Sequence, residues 1–147
     1  MEIAVLGLGC FWGPEIKFSK VSGVIKTEVG YCGGNTKETT YEEVCTGKTN
    51  HAEVVKLDFD PKILSYERIL EYFFEIHDPT TLNSQGPDFG TQYRSEIFYF
   101  NDQQKEISEK IINEENIKFS GKVVTKNSLM KNYCPEEEYH QKYLEKR

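Results

Sequence analysis

From His51 to Phe59 the chain alternates so regularly that an extended strand is the only regular element that sorts it into two faces. His51, Glu53, Val55, Leu57 and Phe59 fall on one side, and Ala52, Val54, Lys56 and Asp58 on the other. Glu53 therefore shares its face with three large apolar side chains. If that face packs inward, desolvation disfavours the ionised carboxylate and keeps the group available as an acid near neutral pH.

The rest of the chain supplies partners for such a strand. Ile3 to Leu8 reads as a buried strand, and Gly7 and Gly9 allow a tight turn into a helix that Pro14 opens in its first turn. Val24 to Tyr31 resembles a further strand, followed by an irregular loop marked by Gly30, Gly33, Gly34 and Asn35. Tyr66, Ile69, Leu70, Phe73 and Phe74 recur at helical spacing, an aromatic stripe that reads as core. His77 to Arg94 is a long, polar, mostly irregular connection, and such segments in small domains usually serve function.

Ile97 to Phe100 reads as a strand, and Asn101 with Gln104 as the cap of a helix whose apolar side includes Ile107, Ile111 and Ile112. Val123 to Thr125 is expected as a final strand, and the tail from Asn127 to Arg147 shows no clear pattern. The order implies an α+β, two-layer sandwich: a mixed central β-sheet of ferredoxin-like character packed by two main helices, with long irregular loops and a C-terminal tail. With 147 residues and no internal repeat, residues 1–147 are expected to form a single catalytic domain.

Charge narrows the partners. A net charge of -6 disfavours nucleic acid and anionic membranes, which require a basic surface, and Glu136 to Glu138 reads as a solvated face. The apolar run at the N-terminus is too short for a signal peptide or membrane span, so a cytoplasmic location is expected. In that reducing compartment Cys10, Cys32, Cys45 and Cys134 are expected as free thiols. The scattered His51, His77 and His140 give no metal-binding pattern, so no metal is expected.

Cys10 stands out among the cysteines. It falls in the strand-to-helix turn, where unpaired N–H groups and the positive helix end stabilise a thiolate. Gly9 and Gly13 leave its sulfur unshielded, and Phe11 and Trp12 are placed to line a small apolar pocket or to join the core.

Gly9-Cys10-Phe11-Trp12-Gly13 resembles the active-site signature of the A-type peptide methionine sulfoxide reductases. The similarity continues through Val29 to Gly34, Tyr41 to Gly47, His51 to Val55, Gly90 to Ser95 and Tyr139-His140-Gln141, in the family's order. The resemblance implies reduction of the S epimer of methionine sulfoxide, free or in oxidised proteins, without a bound cofactor. In its terms Cys10 attacks the sulfoxide sulfur, Phe11 and Trp12 hold the substrate methyl group, and Glu53 protonates the departing oxygen. Tyr41 and Tyr93 hydrogen-bond that oxygen, and Asp88 orders the site or contacts the substrate backbone through water. Cys10 is left as a sulfenic acid, which condenses with another thiol.

The chain departs from the family in its regeneration half. Many relatives carry cysteines in a tail beyond the His140 region, whereas none follows Cys134 here. Cys134 and Cys32 are the candidate resolving thiols, and Cys45 belongs to the family string as a structural residue. A one-cysteine cycle, with glutathione, glutaredoxin or thioredoxin as electron donor, is the favoured expectation. Asn50, where relatives usually have glycine, alters a loop and not the chemistry. Two rival classes remain at this stage: a cysteine hydrolase activated by His51, His77 or His140, and a non-enzymatic thiol sensor or peptide binder.

Overall fold

The alternating 51–59 segment forms an inner strand, β3 (Ala52–Phe59), with both faces buried up to Val55. The computed structural model describes residues 2–9, 12–34, 51–85, 88–131 and 133–135. Within them β3 follows β1 (Glu2–Leu8), α1 (Trp12–Ser19) and β2 (Val24–Cys32). It precedes α2 (Tyr66–Glu75), two short strands β4 (Ser84–Gln85) and β5 (Asp88–Phe89), and a single 3-10 turn (Thr91–Tyr93). β6 (Ser95–Tyr99), α3 (Asp102–Lys118), β7 (Lys126–Leu129) and β8 (Cys134–Pro135) complete the order.

One six-stranded sheet runs β7-β6-β1-β3-β2-β8. β1 and β2 are joined through α1 yet separated by β3, which pairs antiparallel with both. β3 and β6 are joined through α2 yet separated by β1. These two interleaved crossovers give the expected ferredoxin-like core. The parallel pairing of β7 with β6 makes the sheet mixed.

Strand periodicity decides what each face meets. Ala4, Leu6, Leu8, Val29, Tyr31, Val55, Leu57, Phe59 and Ile97 lie toward the helices, against Phe18, Ile69, Leu70, Phe73 and Ile111. Val5, Cys32, Ala52, Val54 and Phe98 lie on the opposite face, where Ile3, Met130 and Tyr133 cover them. The sandwich thus has two main layers, with a strap from the C-terminal region sealing the second face. The strap is tied by Met130 N–H to the Tyr99 carbonyl and by Gly33 N–H to the Lys131 carbonyl.

The helices begin where local chemistry directs. Ser65 caps α2 by accepting from Arg68 N–H at 3.0 Å. Asn101 caps α3 by accepting from Gln104 N–H at 2.9 Å, and the Gln104 amide reaches back to the Ile3 carbonyl at 2.8 Å. This cap is the one read from the sequence, and it stitches α3 to β1. α1 is a third, shorter helix; its buried Glu15 accepts from the Thr27 hydroxyl at 3.0 Å, fixing the helix on β2.

The last expected strand is displaced. Pairing with β6 begins at Lys126, not at Val123. Val124 spends its N–H on the Pro79 carbonyl and Thr125 its hydroxyl on Ser95, so both are held by the two ends of the 77–95 segment before the ladder starts. No helix among the described residues is long and apolar enough to cross a membrane.

Just past α2, the His77 ring packs on Phe73, with ring centroids 4.3 Å apart. Its Nδ1 lies 2.5 Å from the Phe73 carbonyl oxygen and its Nε2 2.8 Å from Ser95 Oγ. Burial pushes its pKa down from 6.5 to about 4, outweighing the opposing pulls of the Phe73 carbonyl and Asp78. On acidification the unfolded chain takes up this proton first, so stability falls between about pH 6.5 and about pH 4. Urea unfolding midpoints across that window should fall less steeply in His77→Gln than in the parent. Equal slopes would show that His77 titrates alike in both states.

Candidate active site

The sheet register sets residues from five strands level in one row. Ser95 of β6 pairs with Leu8 of β1. The β1–β3 register, Leu6 with Val55, continued by two residues sets Leu8 level with Glu53. Glu53 pairs with Tyr31 of β2, and Tyr31 with Cys134 of β8. Directly paired residues share a sheet face. The row therefore lies on the helix-facing side, as the alternation of β3 implies.

Glu53 is 1% exposed, on the same face as Val55, Leu57 and Phe59. Its inward orientation was legible in sequence. Tyr31, fully buried beside it in the row, was not singled out, because only the register reveals the juxtaposition.

Leu8 is the last residue of β1, and the chain turns at Gly9, whose φ of +98° favours glycine. Cys10 and Phe11 lie outside the described residues, and Trp12 opens α1. The described residues on either side are the end of β1 and the start of α1. A methyl group at Gly9 would lie 2.8 Å from the Gln85 side chain, so β4 packs directly over this turn. Gln85 is held in turn by Asp78 N–H, 3.1 Å from its Oε1, and by Thr81. Asp88 of β5 pairs with Gln85 and so belongs to the hairpin that covers the turn.

Tyr93 closes the 3-10 turn that follows Gly90, with its N–H on the Gly90 carbonyl at 3.0 Å. It is half-buried and stands two residues before Ser95, at the end of the sheet where Leu8 leads to Cys10. Tyr41, the other expected phenol, lies outside the described residues, as do Cys45, Asn50 and His140.

The two described histidines are both committed elsewhere in the packing. Both ring nitrogens of His77 are engaged, by the Phe73 carbonyl and by Ser95. His51 is 1% exposed and packs so closely over Gly34 that a methyl group there would collide with its ring.

The two candidate resolving cysteines hold different register positions on β2 and β8. Cys32 is fully buried on the side away from Glu53, and its thiol donates to the Lys131 carbonyl at 3.3 Å. Burial pushes its pKa up to about 11, the opposite of what a reactive thiol requires. Near it Arg94 Nε donates to Glu96 Oε1 at 2.6 Å in a buried ion pair. Cys134 instead holds the register position beside Tyr31, in the row of Glu53.

Comparison with known proteins places the chain in a family. A family model described as peptide methionine sulfoxide reductase matches residues 2–147. The peptide methionine sulfoxide reductase MsrA of Pelagibacter ubique (strain HTCC1062) is 80% identical over 147 residues, covering all of both chains. The crystal structure of Mxr1 from Saccharomyces cerevisiae in reduced form superposes with a TM-score of 0.95 at 40% identity, covering 99% of this chain and 85% of that one. Mxr1 in complex with Trx2 gives 0.69 at 26% identity, covering 97% and 84%. The chain belongs to the peptide methionine sulfoxide reductase A family, to which the string around Cys10 already pointed.

Proposed function

We propose that this peptide-methionine (S)-S-oxide reductase carries out its chemistry between Cys10 and Glu53, within residues 1–147 acting as a single catalytic domain. The Cys10 sulfur attacks the sulfoxide sulfur while Glu53 gives its proton to the oxygen. The bond formed between the two sulfurs then breaks together with the methionine S–O bond as the protonated oxygen passes to Cys10, leaving methionine and a Cys10 sulfenic acid. Sulfoxide oxygen leaves poorly unless protonated, so Glu53 must enter the reaction neutral.

The observation that carries this reading is the burial of Glu53, 1% exposed in a hydrocarbon layer and level with the strand end that leads to Cys10. Such a setting favours the uncharged carboxyl group. Tyr93, and Tyr41 by family resemblance, donate hydrogen bonds to the oxygen as charge develops on it. Phe11 and Trp12 receive the substrate methyl group, and Asp88 orders the site or contacts the substrate backbone through water.

For regeneration, the register supports attack by an external thiol on the Cys10 sulfenic acid, releasing water and forming a mixed disulfide that a second thiol reduces. β8 stands three strand spacings from β1, about 14 Å, whereas a disulfide needs Cα atoms within about 7 Å. From Leu8, the strand residue that leads to Cys10, direct condensation with Cys134 would have to close that separation, and Cys32 is sealed on the other face. Thioredoxin, glutaredoxin and glutathione are the donor class, with Mxr1 in complex with Trx2 as the precedent among relatives. A reducing, cytoplasmic setting suits such donors.

Glu53→Gln keeps the shape and removes the proton. It should slow Cys10 oxidation by methionine sulfoxide on the order of a hundredfold or more, as loss of a general acid does. Tyr93→Phe should cost less, about fivefold to tenfold, the worth of one hydrogen bond. Rapid-mixing single-turnover assays would read both, and parent-like kinetics in the Gln variant would remove Glu53 from the mechanism.

After one turnover without reductant, mass spectrometry with a sulfenic-acid trap should find the adduct on Cys10, with Cys32 and Cys134 still free thiols. A Cys10–Cys134 disulfide in that sample would replace the external-thiol route with an internal one.

A further inference from the structure

The loop that carries Asp88 and Tyr93 leaves the helical layer at His77 and rejoins the sheet at Ser95. A connection of this length samples many shapes unless its ends are fastened. Here they are fastened to each other, by His77 Nε2 and Ser95 Oγ 2.8 Å apart.

The direction of each proton in this clip follows from chemistry. The Phe73 carbonyl can only accept, so Nδ1 of His77 carries the hydrogen. In a neutral imidazole the other nitrogen is then an acceptor, and the Ser95 hydroxyl donates to it. Having given its hydrogen to His77, Ser95 accepts from the Thr125 hydroxyl at 2.7 Å. The chain runs Thr125 to Ser95 to His77 to Phe73 in a single sense, and a second proton on the ring would break it. The lowered basicity of the buried ring keeps that proton away.

The backbone of Ser95 faces Leu8, the last residue of β1 before the Cys10 turn. Tyr93 lies two residues upstream, and from the same loop Gln85 packs on Gly9. The clip therefore joins the loop bearing the phenol to the strand bearing the nucleophile.

We propose that His77 is a positioning residue for sulfoxide reduction, a hydrogen-bond acceptor that closes the base of the 77–95 loop and so sets Tyr93 against the strand end leading to Cys10. This rests on the reading in which Cys10 and Tyr93 act on one sulfoxide. His77 itself touches neither substrate nor the reacting atoms, and no proton of the reaction passes through it. Its contribution is geometric, and displacement of a reacting group by about 1 Å costs on the order of a hundredfold in rate.

The test compares full-length His77→Leu, His77→Gln, Ser95→Ala and the His77→Leu/Ser95→Ala double variant, assayed on methionine sulfoxide with dithiothreitol. His77→Leu and Ser95→Ala should each lower kcat on the order of tenfold or more, with KM changed by less than about threefold. His77→Gln, which retains an acceptor and a donor, should recover part of the loss. The double variant should be no slower than the slower single one, because both changes remove the same bond. Ile111→Ala opens a cavity beneath α3, a helix that carries no residue of the loop or of its clip, so it should lower the unfolding temperature while keeping the parent kcat. If His77→Leu fails to fold, Ser95→Ala and His77→Gln carry the test.

Parent-like kcat in Ser95→Ala, or losses that multiply in the double variant, would overturn the proposal. So would an Ile111→Ala variant that loses as much rate as the clip variants, since the effect would then be general instability. A parent enzyme that fails to turn over methionine sulfoxide would instead overturn the functional reading, leaving the clip a structural feature.

Discussion

Everything at this site depends on a carboxyl group set into the hydrocarbon layer of a sheet. Glu53 can be held there because β3 is an inner strand whose backbone groups are paired on both sides, to β1 and β2. The strand cannot rotate Glu53 to solvent without turning Val55, Leu57 and Phe59 out with it, since side chains alternate with period two. Burial of those apolar neighbours, each contributing about 1.5–3 kcal/mol, thus holds the acid in an environment it would not choose alone. In the proposed mechanism that same enclosure serves the reaction, because burial disfavours an ionised carboxylate.

The opposite face solves a different problem. Cys32, Val54 and Phe98 would be exposed there without the segment that runs from β7 to β8, and Met130 and Tyr133 cover them. The Lys131 carbonyl accepts from both Gly33 N–H, at 2.7 Å, and the Cys32 thiol. Gly33 has φ +80°, and a methyl group there would lie 2.6 Å from the Phe98 ring, so the approach requires glycine. Buried pairs such as Arg94–Glu96 seldom add net stability, because desolvation offsets their attraction. Their geometry is nonetheless demanding, and this one fixes the backbone immediately after Tyr93.

How much of this was legible depended on the range of the interaction. The face of Glu53, the stripe of α2 and the Asn101–Gln104 cap are written within a few residues of sequence, and all three appear as read. The start of β7 was missed by three residues because Val124 and Thr125 answer to Pro79 and Ser95, partners far away in the chain. The strap and β8 were unreadable for the same reason: a short, polar edge strand has no periodicity of its own, and its place is set by what it covers. Cys32 shows the cost most clearly. Its glycine-rich surroundings suggested a site loop, yet one step of strand register assigns its thiol to the far face, while Cys134, with less distinctive neighbours, holds a place in the row of Glu53.

The groups assigned to the reaction come from backbones of very different stiffness. Glu53 stands on an inner strand, Cys10 follows a strand end, and Tyr93 belongs to a loop whose short hairpin has only two residues in each strand. A sheet holds its own side chains in register, but it has no means of fixing a loop that leaves it. Proton donation and oxygen stabilisation both require their donors within a fraction of an ångström of one oxygen. The loop must therefore borrow rigidity from the sheet, and the available connection is Ser95, whose backbone belongs to the ladder while its hydroxyl belongs to His77. On the proposed role of His77, a residue that joins both networks in this way converts the order of the strands into order at the phenol, so that a histidine outside the reacting centre would serve the chemistry.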